Sequence, residues 1–171
     1  MLNDKLAWLL EKQADRMTRD WVTMLKANAN TASYHKLKDE SLVQRIHEVY
    51  EKLSLWMEWE VSSRDLARYF MMIGEERKMQ GISLPEVVYA VILARRNLCD
   101  HLFEEVITMN ALDMQRLIEF NRRVIYFFDK AVYFVMMGYE HFQGEKEKEE
   151  GWLDGVLHAF SVGTNPRGED R

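Results

Sequence analysis

Histidine and carboxylate side chains spaced one helical turn apart are the first candidates for chemistry in this chain of 171 residues. His101 with Glu105, and His47 with Glu51, have the i, i+4 spacing at which an imidazole and a carboxylate can share a metal ion. The Glu-x-x-His pairs that build di-iron sites in helical bundles do not occur in the sequence. Because i, i+4 pairs of this kind are common on helix surfaces, we predict no metal site.

His101 is also the histidine best placed to ligate a haem, because it lies mid-helix among apolar residues. A haem-binding or small-ligand bundle is therefore an alternative hypothesis, and the pocket predicted for it is formed by Trp56, Tyr69, Phe70 and Met71. We expect no cofactor. Catalysis is not predicted either, since neighbouring carboxylates such as Glu75 and Glu76 point to different sides of a helix and cannot work as a pair.

Three arginines lie close to the apolar lines of two successive predicted helices. Arg77 lies on or beside one line, Arg95 interrupts the other, and Arg96 follows it. A buried guanidinium must be paired. The nearby partners are Glu76, Gln80 and Glu86. The sequence leaves two interpretations open, a structural ion pair that locks two helices together and an anion or partner site built from these arginines.

Composition limits the class of protein. Hydrophobic residues make up 47% of the chain and charged residues 30%, which is typical of one globular domain, while the net charge of -5 argues against a nucleic-acid binder. The single cysteine, Cys99, excludes an internal disulfide and suits a reducing compartment. The N-terminal segment lacks a signal-peptide pattern, and the most apolar window, 124–139, has Asp129 and Lys130 at its centre. We predict a cytoplasmic protein without a membrane span.

Helical periodicity accounts for most of the chain. It predicts an all-α, five-helix bundle with helices at about 3–28, 39–60, 63–80, 84–107 and from about 110 to beyond 139. The turn-rich segment 28–39 is predicted to be a loop that ends at Asp39 or Ser41 as an N-cap. The last helix repeats phenylalanine every seven residues and is apolar nearly all round after Val124. Such a helix is either buried in the middle of the bundle or forms a homodimer seam.

The segment 62–98 carries the clearest local signals. Ser62 with Asp65, and Ser83 with Glu86, are capping-box patterns for two helix starts. Gly81 between them fits a helix C-terminus that requires a left-handed residue. Together these signals predict a helical hairpin. Gly74, inside the first of the two helices, has two interpretations: it allows close approach of a neighbouring helix, or it only costs the helix about 1 kcal/mol of stability.

The C-terminal segment is predicted to be separate from the bundle. Residues 1–143 form the helical domain, and residues 144–171 form a charged tether followed by an amphipathic turn or two. Such a short amphipathic segment is not stable alone and needs a surface, either on a partner or on its own bundle. Its apolar residues are Trp152, Leu153, Val156, Leu157 and Phe160.

The hairpin residues resemble a known motif. Gly74, Arg77, Gly81, Leu84 and the run Glu86 to Ala90 are similar to the G-x-x-R-x-x-x-G-x-x-L-x-E-V-x-x-A core of the RsbRD N-terminal domain family. That family is the sensor half of stressosome RsbT co-antagonist proteins and is also found ahead of some histidine kinases. The resemblance covers roughly residues 1–142, and this chain departs from the family pattern after Tyr139, where an output domain would follow.

The resemblance implies a non-catalytic sensor domain with a haem-free, globin-like fold that forms a homodimer and acts on a protein partner in signalling. We therefore predict a regulatory module that acts by protein–protein interaction. Its candidate interaction or ligand residues are Gly74, Arg77, Gln80, Gly81, Glu86, Arg95, Arg96, Trp152, Leu153, Leu157 and Phe160.

Overall fold

A computed structural model of the chain describes residues 2–104, 111–141 and 149–164. The described residues form six α-helices and one 3-10 helix, with no strand among them, so the predicted all-α bundle is confirmed. The elements are α1 (Leu2–Ala27), the 3-10 helix (Ala29–Lys36), α2 (Asp39–Met57), α3 (Ser63–Met79), α4 (Leu84–Glu104), α5 (Ala111–Glu140) and α6 (Glu149–Thr164).

The segment between α1 and α2 differs from the predicted loop. It forms a 3-10 helix whose N-cap is Asn28, and the Asn28 side chain accepts a hydrogen bond from the backbone N–H of Asn30. Thr31 is buried and donates its hydroxyl to the Leu25 carbonyl at 2.8 Å, which ties the segment back to α1. The predicted N-cap of α2 is also wrong: the cap is Lys38, and Asp39 is the first helical residue.

The α3–α4 hairpin has the predicted caps. The Ser62 hydroxyl accepts a hydrogen bond from the backbone N–H of Asp65, and the Glu86 carboxylate accepts hydrogen bonds from the backbone N–H and the hydroxyl of Ser83. Gly81 has a φ of +71°, the left-handed conformation that glycine adopts without steric cost. Local sequence signals therefore position the start of each helix and the turn between them.

A pair of glycines joins α3 to α5. A Cβ added at Gly74 would lie 2.1 Å from the Val135 carbonyl oxygen, and one added at Gly138 would lie 2.0 Å from the Met71 carbonyl oxygen. Both positions therefore require glycine, because the two helix backbones touch where they cross. Of the two interpretations left open for Gly74, close helix approach is the one that the structure shows, and its counterpart Gly138 was not predicted.

Helix α5 forms the centre of the bundle. Its 30 residues span about 45 Å, and it packs against both α3 and α4. The prediction of a buried middle helix therefore holds for one face of α5, while another face carries exposed apolar side chains. The side chains of that face are Leu117, Phe120, Val124, Phe127, Phe128, Ala131, Phe134 and Val135.

The C-terminal segment folds into a full helix, not into the predicted turn or two. α6 has 16 residues and lies against the bundle, where Val156, Leu157 and Phe160 pack on the core and Leu153 is buried within it. The predicted tether, 145–150, lies outside the described residues up to 148, and its last two residues, Glu149 and Glu150, belong to α6. Among the described helices, none combines the length and the apolar composition needed to cross a membrane.

Candidate functional site

Arg77 is the most deeply buried of the predicted site residues on the hairpin that carry a charge. Its side chain donates a hydrogen bond to Gln80 Oε1 at 2.7 Å, and its guanidinium carbon lies 5.5 Å from the centre of the Tyr34 ring. Burial raises the pKa of Tyr34 to about 12, while the neighbouring guanidinium opposes that rise. The two side chains together form a buried polar contact between α3 and the 3-10 helix.

The carboxylates expected to pair with Arg77 have other partners. Glu76 accepts a hydrogen bond from Arg45 on α2 at 2.6 Å. Glu86 accepts hydrogen bonds from the backbone N–H and hydroxyl of Ser33, at 2.7 and 2.8 Å. Within the part of the chain that the structure describes, Arg77 therefore forms no ion pair, and Gln80 is the only one of the three expected partners that it contacts.

Glu86 is a structural anchor. Its carboxylate accepts hydrogen bonds from Ser33 and Ser83, so it joins the 3-10 helix to the start of α4. These bonds, of which the backbone N–H of Ser33 gives the strongest, lower the pKa of Glu86 to about 2. The carboxylate is therefore charged and held in place at neutral pH.

The other two hairpin arginines point away from Arg77. Arg95 forms an ion pair with Asp129 of α5 at 3.6 Å, and Arg96 is exposed on the opposite side of α4, beside Asn28 and Tyr89. The three arginines therefore do not converge on one site. The sequence placed them close together along two helices, but the rotation of each helix separates their side chains.

A small cavity lies next to Arg77 in the interior of the bundle. Its volume is about 40 Å³, space for about one or two water molecules, and almost all of its wall is apolar. The residues that line it include Trp21, Tyr34, Arg45, Phe70, Arg77 and Phe128. Of the four residues of the predicted ligand pocket, Phe70 borders this cavity, and the Trp56 and Phe70 rings both pack against Phe127.

His101 is buried between two carboxylate side chains. Its Nε2 lies 3.0 Å from Asp20 Oδ2, and its Nδ1 is buried without a hydrogen-bond partner, 4.0 Å from Glu104. It does not line the cavity beside Arg77. Glu105, the carboxylate one helical turn after His101, lies outside the described residues. No group of three or more potential metal ligands occurs among the residues that are described.

Several polar side chains of the core were missed by sequence reasoning. The Trp21 indole N–H donates to the Ala90 carbonyl at 3.0 Å, and the Tyr50 hydroxyl donates to the Ala94 carbonyl at 3.2 Å. Asn97 donates to the Met17 carbonyl and to the Tyr50 hydroxyl. An asparagine within the apolar line of α4 was the available signal for this network, which binds α1 and α2 to α4.

The tail residues lie together against α3 and α5. Leu153 is buried, while Leu157 and Phe160 pack partly buried on the core. The Phe160 ring contacts Tyr126, Tyr133 and Phe134, with centroid distances of 6.4, 5.3 and 6.0 Å. Trp152 lies at the edge, 6.2 Å from the His141 ring. Of the two surfaces that the sequence left open, the tail therefore occupies its own bundle.

The fold and the site together define an all-helical domain whose buried polar side chains hold the helices together. The family model described as "Histidine kinase N terminal" matches residues 3–141, and the chain belongs to this family of N-terminal domains of signalling proteins. The expectation of a sensor-type domain is thereby confirmed. No curated protein and no solved structure matches the chain.

Proposed function

We propose that this protein is a non-catalytic regulatory module of signal transduction that acts through contacts with other proteins. The observation that carries the proposal is the outer face of α5. Met114, Ile118, Ile125 and Met136 follow one another at helical spacing on that face and are 41, 60, 39 and 37% exposed. A run of exposed large apolar side chains on one helix is typical of a protein interface.

The first partner we propose for this face is a second copy of the chain. The apolar positions 118 and 125 are one heptad apart, and Val132 continues the same line one heptad further on. A repeat of this length lets two copies of one helix pair along their full seam. The homodimer through the last long bundle helix thus uses the side of α5 that the core leaves uncovered.

Sedimentation equilibrium of the purified chain tests this assembly. We expect a dimer for the natural sequence and a monomer for the double variant Ile118→Glu/Ile125→Glu. Leu112→Glu is the matched control, because Leu112 is 58% exposed on the same helix but lies about 160° around it from Met114. A monomeric natural protein, or a double variant that stays dimeric, would contradict the assembly.

The narrower form of the proposal is a stressosome-type or kinase-associated sensor. Membership of the histidine kinase N-terminal family supports a partner from phosphorylation-based signalling, and the hairpin motif around Gly74 and Arg77 supports the stressosome-type assignment. Chemical cross-linking of the chain in its native cells, followed by mass spectrometry, identifies the partner. Recovery of a kinase or a phosphorylated antagonist supports the narrower form, and recovery of metabolic enzymes alone counts against it.

A second candidate function, binding of a small ligand, is favoured by one observation. The buried Arg77 guanidinium borders an apolar cavity and forms no ion pair within the described part of the chain. A small carboxylate ion no larger than formate or acetate matches the size of this cavity and would supply the missing counter-charge. Native mass spectrometry of the chain purified without denaturant should then show an added mass that Arg77→Met removes and Arg96→Met retains. Detection of bare polypeptide alone would reject this candidate.

A further inference from the structure

Helix α6 lies in a groove whose walls are α3 and α5. Four apolar residues of α6 occur at i, i+3, i+4 and i+7 and so share one face of the helix. They are Leu153, Val156, Leu157 and Phe160. Leu153 is only 2% exposed, and Phe160 lies among three aromatic rings of α5. The groove therefore has the shape and the apolar wall that accept one amphipathic helix.

A charge at the edge of the groove adds selectivity. Arg64, in the first turn of α3, forms an ion pair with Asp154, the residue that follows the first apolar anchor of α6. Both side chains are partly exposed, so the pair contributes little to stability but disfavours a helix with a basic residue at that position. The groove thus specifies an acidic residue directly after the first apolar anchor.

The groove and its occupant have different relations to the family. The groove residues, from Arg64 on α3 to Phe134 on α5, all lie within the segment matched by the histidine kinase N-terminal family. α6 begins at Glu149, beyond the end of the match at residue 141. The groove is therefore part of the family domain, whereas the helix that fills it in this chain is not.

α6 is also weakly built as a helix. Gly151 and Gly155 lie in its first half, and a Cβ at either position would meet no atom within 4 Å, so neither glycine is required by packing. Glycine in a helix interior is unfavourable relative to alanine, and a helix of 16 residues is marginal in water without tertiary contacts. α6 thus depends on the groove, and a better helix with the same anchors would compete with it.

We propose that the α3–α5 groove is a docking site for an amphipathic helix of a partner protein, and that α6 is a displaceable internal ligand of that site. The partner helix carries a branched or aromatic apolar residue at the positions of Leu153, Val156, Leu157 and Phe160 and an acidic residue at the position of Asp154. This inference rests on the proposed function and extends it, because it names the surface and the chemistry of the partner.

The test uses the full-length chain and a labelled peptide with the sequence of α6. The double variant Leu153→Asp/Phe160→Asp should release α6 from the groove, and Ala159→Asp, on the exposed side of the same helix, is its control. The peptide should bind the double variant at least tenfold more tightly than the natural chain or the control, since the internal helix competes at high effective concentration. Equal affinity for all three chains would overturn the proposal.

Two further measurements separate the outcomes. In the double variant, Arg64→Glu should weaken binding of the natural peptide and improve binding of a peptide with Asp154→Arg, while an unchanged ranking would overturn the assigned groove.

In the natural chain, excess peptide with alanine at the positions of Gly151 and Gly155 should speed hydrogen exchange of residues 149–164. No acceleration would overturn displaceability even if the double variant does not fold.

The molecular mass in solution distinguishes an α6 that docks on its own chain from an α6 that docks on a second copy. A natural chain that is dimeric and becomes monomeric in the Leu153→Asp/Phe160→Asp variant would mean that α6 docks on the second copy, which contradicts an internal ligand. Retention of the dimer in this variant, together with its loss in Ile118→Glu/Ile125→Glu, supports the internal arrangement. The α5 dimer is thus tested independently of the groove.

Discussion

Helix α5 makes two contacts of opposite character. Against α3 its backbone touches the neighbouring backbone, at Gly74 and Gly138, and large side chains fill the space on both sides of the crossing. Against α6 the described contacts of α5 are between side chains, chiefly those of Phe160, and the exposed ion pair at the edge of the same groove joins α6 to Arg64 of α3. The first contact therefore belongs to the core of the domain, and the second is suited to opening and closing.

Truncation of one phenylalanine in each contact should give the largest difference in the free energy of unfolding between the two contacts. Phe127 is fully buried and packs against Trp56 and Phe70, so Phe127→Ala should lower the free energy of unfolding by about 3–5 kcal/mol. Phe160→Ala should lower it by about 1 kcal/mol or less, because its partners are also held by the core. Urea unfolding followed by circular dichroism measures both. A loss of equal size at the two positions would contradict the distinction.

A methyl group added to glycine sharpens the same comparison. Gly74→Ala places a Cβ against the Val135 carbonyl and should destabilise the chain by about 1–3 kcal/mol or prevent folding. Gly155→Ala, in open space on α6, should instead stabilise α6 by about 0.5–1 kcal/mol through helix propensity alone. Thermal unfolding gives the sign of each change. A neutral Gly74→Ala would show that the backbones of α3 and α5 do not touch.

The charged contacts of the bundle and of α6 should differ in the same direction, with Glu86 at the start of α4 compared with Asp154 of α6. Glu86→Gln removes a carboxylate that accepts hydrogen bonds from two serines, and it should cost about 1–3 kcal/mol at neutral pH. Asp154→Asn removes an exposed ion pair with Arg64 and should cost less than about 1 kcal/mol. Chemical unfolding of both variants measures the difference. Similar costs would show that the tail is held as firmly as the hairpin.

Acid should act on the hairpin through the same carboxylate. The folded-state pKa of Glu86, about 2, lies below its ordinary value of 4.5. Its contribution to stability is therefore fully present above pH 4.5 and is lost as the pH falls from 4.5 to 2. The loss of stability across this window should be smaller in Glu86→Gln than in the natural chain. Parallel pH profiles would contradict the role of Glu86.

The parts of the fold that the sequence predicts well depend on neighbouring residues. Ser62, Gly81 and Ser83 act on amide groups within a few positions of themselves, so their spacing alone identifies the ends of α3 and the start of α4. The five bundle helices follow from the same short-range periodicity. The crossing at Gly74 was only half predictable, because an isolated glycine inside a helix fits a close approach and a simple loss of helix stability equally well.

The parts that the sequence predicts poorly depend on tertiary packing. The directions of Arg77, Arg95 and Arg96 follow from the rotation of two helices against α5, which no local spacing reports. The length of α6 was underestimated because its glycines weaken the helical signal, and packing on the aromatic side chains of α5 compensates for that weakness. The 3-10 helix was missed since its stability comes from contacts with α1 and α4, such as the bond from Ser33 to Glu86.

Hydrogen exchange of the intact chain, read peptide by peptide by mass spectrometry, compares the two contacts of α5 in one experiment. If α6 is a displaceable helix on a permanent core, amides of 149–164 should exchange at least about 100-fold faster than those of 66–79 and 124–139. Equal protection of the three segments would show that α6 opens only when the whole domain unfolds, and the regulatory role given to the groove would then be wrong.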